Sequence, residues 1–117
     1  MKISCACGQT IVDQSDGSSW KAHLVPDQDF YALLDAIDKA IEVSGPSPRD
    51  KEAACMCVRQ HLNQASKLAW QCASCGRLYI DGNNNELQVF QPSSHDASRK
   101  VLASRLAHGN PSSPPDA

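Results

Sequence analysis

The chain has 117 residues, a length that indicates one domain. Eleven Lys and Arg residues against 13 Asp and Glu give a formal net charge of −2, which argues against a strongly basic nucleic-acid-binding module. No apolar run approaches the roughly 20 residues needed to cross a bilayer, so we expect no transmembrane helix.

Short strands are predicted in the first quarter of the chain. Residues 2–5 and 9–12 are predicted to form two strands around a cysteine-containing turn at residues 5–8. Residues 20–25 alternate loosely in polarity and predict a third strand after a loop around Gly17.

Two amphipathic helices are predicted at about residues 27–68. The first is expected to begin at Asp27, acting as its cap, and to end near Ser44, because apolar residues recur at helical spacing at Phe30, Leu33, Leu34, Ile37 and Ile41. The second is expected to begin at Ser47 and Pro48 and to run to about Leu68, with one face formed by Ala54, Cys57, Val58, His61, Leu62, Ala65 and Leu68. The short connection predicts an antiparallel helical hairpin.

Strands are predicted again in the last third of the chain. Residues 70–72 and 77–80 are predicted to flank a second cysteine turn, and residues 86–90 supply the last strand. This order predicts an α+β fold. Residues 93–108 are predicted to form a short helix, and the Pro- and Ser-rich residues 109–117 a disordered tail.

The six cysteines occur as tight pairs, at positions 5 and 7, 55 and 57, and 72 and 75. The first residues lack the apolar segment of about 7–15 residues of a secretory signal peptide, so we expect a cytoplasmic protein. Cytoplasmic thiols stay reduced, which favours metal binding over the alternative of a three-disulfide framework.

Two of these pairs form similar turns. Residues 72–76 read Cys-Ala-Ser-Cys-Gly, and residues 5–8 read Cys-Ala-Cys-Gly, the same turn shortened by one residue. Each turn supplies two thiolates, and its glycine tolerates the positive φ of a tight turn. Together Cys5, Cys7, Cys72 and Cys75 predict a closed four-thiolate site that holds structural zinc.

The two turns with their flanking strands resemble the zinc-ribbon family. The resemblance implies a zinc-ribbon-like antiparallel sheet over residues 1–92. Two departures are a Cys-x-Cys where that family usually has Cys-x-x-Cys, and a long separation from Cys7 to Cys72, which implies that the helical hairpin is an insertion. The overall pattern is also similar to small uncharacterised bacterial zinc-binding proteins, a similarity that implies no particular activity.

The cysteines and histidines also allow other functional interpretations. The second cysteine turn is also a redox Cys-x-x-Cys, although the strand predicted after it offers no helix dipole to lower a thiol pKa. A second metal site would use Cys55, Cys57 and His61 on the second helix, and His23 would be a substitute ligand in the first site. Small core residues and ordinary histidines are the simpler interpretation of these side chains.

A non-catalytic binding module is the function that the sequence favours. A closed four-thiolate site leaves no position for water, and the chain has neither a Gly-rich phosphate loop nor an HExxH motif. Residues 13–42 carry a local charge of −5, and Asp35 and Asp38 lie on the outer edge of the first helix. They suggest docking of a basic protein, for example a toxin or nuclease that this protein would inhibit, although a solvated helix face explains the same charges.

Two further functions are alternatives to protein binding. A nucleic-acid-binding zinc ribbon would use the basic residues Lys67, Arg77, Arg99, Lys100 and Arg105. A thiol redox or metal-handling protein would cycle the second cysteine turn or exchange its metal quickly.

Overall fold

The computed structural model describes residues 1–106, which fold into two antiparallel sheets and a pair of helices. This confirms the α+β class. In chain order the elements are β1 (Lys2–Ser4), β2 (Thr10–Val12), β3 (Lys21–Leu24), α1 (Asp27–Glu42), α2 (Pro48–Ala65), β4 (Lys67–Gln71), β5 (Leu78–Asp81) and β6 (Leu87–Phe90). The first sheet pairs β1 with β2, and the second has the strand order β3-β4-β5-β6.

The core lies where the two sheets meet. In the first sheet Ile3 is paired with Ile11, and both side chains are buried on one face while their neighbours in the strands are exposed. The second sheet contributes side chains from β4, β5 and the turn between them. The buried cluster consists of Ile3, Cys5, Ile11, Trp70, Cys72 and Tyr79. Two of the six core side chains are therefore cysteines of the predicted metal site.

The helical hairpin is inserted between two paired strands. β3 and β4 are antiparallel neighbours, with Leu24 opposite Lys67. The sequence prediction extended α2 to Leu68, which is wrong: the helix ends at Ala65, and Lys67 and Leu68 belong to β4. Lys67 and Leu68 pair with Leu24 and His23 of β3, and this strand pairing outweighs the fit of Leu68 to the apolar stripe of the helix.

The two helices begin differently. Ser47 caps α2 in a reciprocal capping box, because its hydroxyl accepts from the Asp50 amide while the Asp50 carboxylate accepts from the Ser47 amide. The expectation that Asp27 caps α1 is wrong. Pro26 occupies that position without a side-chain hydrogen bond, and Asp27 is the first helical residue, where its charge favours the helix dipole.

The hairpin is only lightly buried. Leu33 and Ala40 are the buried residues of α1, and α2 has none, although Ala54, Val58, His61 and Ala65 are half-buried. Neither helix in the described part of the chain combines the length and apolarity that a membrane span requires.

The segment after β6 folds back without regular structure. Residues 93–106 form turns and bends, so the short helix predicted over residues 93–108 is absent from the described part of that range. Buried Gln71 fixes the segment instead: its Nε2 donates to the Ser98 carbonyl at 3.1 Å, and its Oε1 accepts from the Val101 amide at 2.9 Å. The predicted disordered tail, residues 109–117, lies outside the described residues.

Candidate metal centre

Four cysteine sulfurs converge at the junction of the two sheets. The Sγ atoms of Cys5, Cys7, Cys72 and Cys75 all lie within 4.8 Å of one another. Cys5 Sγ is 3.5 Å from Cys75 Sγ, and Cys7 Sγ is 3.6 Å from Cys72 Sγ, so both of these pairs join one turn to the other. Sulfurs bound tetrahedrally to one zinc ion would be about 3.8 Å apart, whereas a disulfide bond measures about 2.0 Å. The spacing fits four ligands around one ion and not two disulfides.

The first knuckle, residues 5–8, is a tight turn held by two backbone hydrogen bonds. The Cys5 amide donates to the Gln9 carbonyl at 2.9 Å, and the Gly8 amide donates to the Cys5 carbonyl at 3.0 Å. Gly8 has φ +97°, a conformation that L side chains rarely adopt. This bend brings Cys5 and Cys7 to the same side of the hairpin.

The second knuckle, residues 72–76, repeats this arrangement with one more residue. The Cys72 amide donates to the Arg77 carbonyl at 2.9 Å, the Gly76 amide donates to the Cys72 carbonyl at 2.9 Å, and Gly76 has φ +82°. The Cys-x-Cys and Cys-x-x-Cys turns are therefore equivalent in backbone design.

Amide and guanidinium groups donate hydrogen bonds to the sulfurs. Cys5 Sγ accepts from the Cys7 amide, and Cys72 Sγ accepts from the amides of Cys75 and Ser74. Cys75 Sγ accepts from the Arg77 amide and, at 3.2 Å, from Arg77 Nη1. Such donors stabilise thiolates, the form in which cysteine binds metal.

The four thiols differ in acidity because they share one small volume. Burial raises the pKa of Cys5, but hydrogen bonds from the Cys7 amide and the Tyr79 hydroxyl outweigh it and lower the pKa to about 6. Burial raises the pKa of Cys72 to about 11, against its backbone hydrogen bonds. Neighbouring thiolates repel one another, so ionising one disfavours ionising the next. A divalent cation removes this conflict by neutralising charge at the centre.

Two supporting groups were not singled out in the sequence. Tyr79 is buried, and its hydroxyl accepts from the Ala6 amide at 3.3 Å while it hydrogen-bonds the Cys5 sulfur. Asp13 Oδ2 accepts from Trp70 Nε1 at 3.0 Å and lies 2.9 Å from Lys21 Nζ. The Lys21 and Trp70 hydrogen bonds lower the Asp13 pKa. Asp13 thereby ties the end of β2 to strands β3 and β4.

The remaining predicted ligands stay apart from this centre. Cys55 and Cys57 are exposed on α2, His61 is half-buried, and His23 is exposed on β3. Among residues 1–106, the four knuckle cysteines are the metal-ligand group of three or more that the structure brings together. The acidic pair Asp35 and Asp38 is exposed on α1.

The basic residues that were predicted to bind nucleic acid lie in different parts of the structure. Arg77 and Arg99 line a cavity of about 410 Å³ beside Cys75, together with His95. Lys100 instead places Nζ 5.8 Å from the centroid of the Trp20 ring, a cation–π distance. Lys67 is half-buried at the start of β4, and Arg105 is exposed.

One comparison with known proteins gives a match. A family model described as a domain of unknown function (DUF8617) matches residues 1–94, which include both knuckles and the helical hairpin. No curated protein and no solved structure matches the chain.

Proposed function

The chain belongs to the DUF8617 family, a domain of unknown function, and within that family we propose that it is a non-catalytic binding module held together by one structural zinc ion. The observation that carries the proposal is the convergence of four sulfurs within 4.8 Å, from knuckles more than 60 positions apart in sequence. The ion would be bound by Cys5, Cys7, Cys72 and Cys75.

Zinc suits this donor set. Four thiolates in tetrahedral arrangement favour zinc or iron, and a mononuclear site enclosed by two knuckles is characteristic of structural zinc. When bound, the ion supplies four strong bonds between the sheets and no open position for a substrate. The β1–β2 hairpin pairs with no strand of the second sheet, so these bonds would add directly to the few core contacts that join them.

The proposal is tested by metal analysis combined with a thiol count on reduced protein. We expect one zinc per chain and two reactive thiols, because Cys55 and Cys57 are exposed on α2 while the other four would be metal-bound. Chelation should make all six react and lower the melting temperature sharply. The matched variants are Cys57→Ser, which should keep the zinc and lose one reactive thiol, and Cys72→Ser, which should lose the zinc.

A different metal or none would change the conclusion. If the protein binds iron, the four-cysteine site is still structural, but the metal is not zinc. Absence of metal together with six reactive thiols would refute the zinc proposal and make thiol redox chemistry at the second cysteine turn the better interpretation.

We further propose that the partner is a basic protein that docks on the acidic edge of α1. Five of the 16 residues of α1 are acidic and one is basic, and Asp35 and Asp38 are exposed. Complementary charge accelerates such association. A basic toxin or nuclease that this protein would inhibit is the concrete case.

The partner is tested by affinity capture with matched charge reversals. Substitution of Asp35 and Asp38 by Lys should abolish capture of a basic protein. Substitution of the exposed residues Asp16 and Glu86 by Lys changes the net charge by the same amount and should not abolish it. Equal capture by both variants would refute the acidic edge as the docking surface.

Nucleic-acid binding is the second candidate, supported by the shared cavity of Arg77 and Arg99 beside the second knuckle. This function predicts that the protein binds oligonucleotides and that the binding weakens as salt is added. Arg99→Ala should weaken the binding, whereas the control Arg49→Ala, on the helical hairpin, should not. Binding that is absent at low salt would reject this function.

A further inference from the structure

One face of the helical hairpin carries apolar side chains on both helices, most of them exposed and two of them, Ile37 and Val58, half-buried. This apolar hairpin face consists of Phe30, Leu34, Ile37 and Ile41 on α1 and Cys55, Val58 and Leu62 on α2. Phe30 is 43% exposed, Leu34 41% and Ile41 63%. The apolar stripe of α1 is wider than α2 can cover, because α2 buries only Leu33 and Ala40.

The face is grooved along the line where the helices meet. A cavity of about 450 Å³ lies there. Its apolar lining consists of Ile37, Ile41, Ala54, Cys55 and Val58, and Ser44, Lys51 and Arg59 also line it. The exposed side chain of Ile41 forms one wall of the groove, and exposed Leu34 lies one helical turn before Ile37 on α1. Ridges next to a groove are the geometry by which one helix pair packs against another.

We propose that a second copy of this chain covers the apolar hairpin face, so that two hairpins form a four-helix bundle. The charges decide the arrangement. α1 carries five acidic residues and one Lys, a net charge of −4, whereas α2 carries three basic and two acidic residues, a net charge of +1. A twofold axis parallel to the helices places each α1 against the α2 of its partner and avoids packing two acidic helices together.

The edges of the face are complementary in the same arrangement. Asp38 borders the face on α1, one helical turn from Leu34 and Ile41, and Arg59 borders it on α2, one turn from Cys55 and Leu62. Arg59 also lines the groove at the level of Ile37 and Ile41. The twofold axis therefore brings Asp38 of one copy beside Arg59 of the other. Asp35 lies further round α1 from the face, so Asp38 is the residue of the acidic pair that the dimer and the proposed basic partner would share.

The available area is close to the minimum for a specific dimer. Helices of 16 and 18 residues are about 24 and 27 Å long and about 10 Å wide. Two of them side by side present about 500 Å² per copy, or about 1,000 Å² in total, the lower bound for a specific interface. We therefore expect a reversible dimer with a dissociation constant on the order of micromolar.

Two cysteines on α2 provide matched probes of this interface. Cys55 belongs to the apolar hairpin face, Cys57 lies outside it, and both are exposed in the single chain. The experiment is alkylation of the zinc-loaded full chain, in Cys57→Ser and Cys55→Ser variants, across low to high micromolar concentrations, with sedimentation velocity in parallel. Where nine-tenths of the protein is dimeric, alkylation of Cys55 should slow about tenfold and that of Cys57 should be unchanged.

Substitutions separate the face from the rest of the hairpin. Ile41→Asp should abolish the dimer, whereas Val43→Asp, at an equally exposed apolar residue just beyond α1, should not. Arg59→Glu should weaken the dimer, and adding Asp38→Lys to the same chain should restore it, a compensation that docking of a basic protein would not show. Both positions are exposed, and unchanged zinc content and helix signal confirm that the variants fold.

The proposal is overturned if the protein sediments as a monomer at all concentrations while Cys55 and Cys57 react alike. It is also overturned if a dimer forms but Ile41→Asp leaves it intact. The zinc content is measured independently, so failure of the dimer does not depend on the proposed structural metal.

Discussion

Asp13 offers a quantitative test of how the first sheet is attached to the second. Its carboxylate accepts a 3.0 Å hydrogen bond from Trp70 Nε1 and forms a 2.9 Å ion pair with Lys21. Trp70 is 3% exposed, so in Asp13→Ala its indole N–H would lose its partner in a site closed to water.

The expected loss follows from these two contacts. An unsatisfied buried donor costs about 1–3 kcal/mol. The ion pair is partly exposed, 23% at Lys21 and 14% at Asp13, so it adds no more than about 1 kcal/mol. Asp13→Ala should therefore lower the free energy of unfolding by about 2–3 kcal/mol. Asp13→Asn keeps an acceptor for Trp70 and should cost about 1 kcal/mol.

Urea unfolding of the zinc-loaded protein measures these differences. With a slope of about 1–1.5 kcal/mol per molar urea, Asp13→Ala should shift the midpoint by about 2 M. Asp16→Ala, at an exposed acidic residue of the same loop, is the matched control and should stay within about 0.5 kcal/mol of the parent protein. Equal stability of Asp13→Ala and Asp16→Ala would refute the assigned role of Asp13.

The same carboxylate has a defined pH dependence. Its hydrogen bonds with Lys21 and Trp70 lower the Asp13 pKa, so the charged form stabilises the folded state. This contribution is complete above the unfolded-state pKa of about 4 and is lost as the pH falls through the lower folded-state value. The stability difference between the parent protein and Asp13→Asn should be constant from neutral pH to about pH 5 and shrink below that range.

Three further predictions concern the metal centre and its surroundings. Gly76→Ala should lower the melting temperature more than Gly8→Ala. Both substitutions place a side chain at positive φ, which costs about 1–2 kcal/mol. Only the Cβ at position 76 would also contact a neighbour, because Pro92 Cγ would lie 3.1 Å from it. The reverse order would refute equivalent backbone strain in the knuckles. Gln71→Ala should speed amide exchange at Val101, whose amide loses its acceptor, and unchanged exchange would show that the segment is held otherwise. Tyr79→Phe should weaken metal affinity at least about tenfold in chelator competition, because a donor to a ligand sulfur is removed. Equal affinity would exclude that donor from the metal site.

The knuckles were predictable from sequence because their determinants are local. Each turn closes within four or five residues, and its glycine supplies the positive φ that the bend requires. The start of α2 is equally local, since Ser47 and Asp50 satisfy each other. These features need no information from the rest of the chain.

Features that depend on distant partners were not predictable. Asp13 meets Trp70 across 57 positions, and Gln71 meets Val101 across 30, so no periodicity or spacing relates them. The end of α2 was misplaced for a similar reason, because pairing with β3 decides the conformation of Leu68. The helix expected after residue 93 rested on a few apolar residues, and the buried amide of Gln71 holds that segment in turns.

The register between β3 and β4 separates the helical hairpin from the two sheets as a unit for protein engineering. Leu24 and Lys67 are direct neighbours across the sheet, so the chain leaves for the helices and returns at adjacent points. Helices of other lengths can be accommodated there without moving a cysteine, because the sheet closes behind them. In an engineered protein the two sheets with their four cysteines would therefore stay the same, while the length of the helical hairpin is changed.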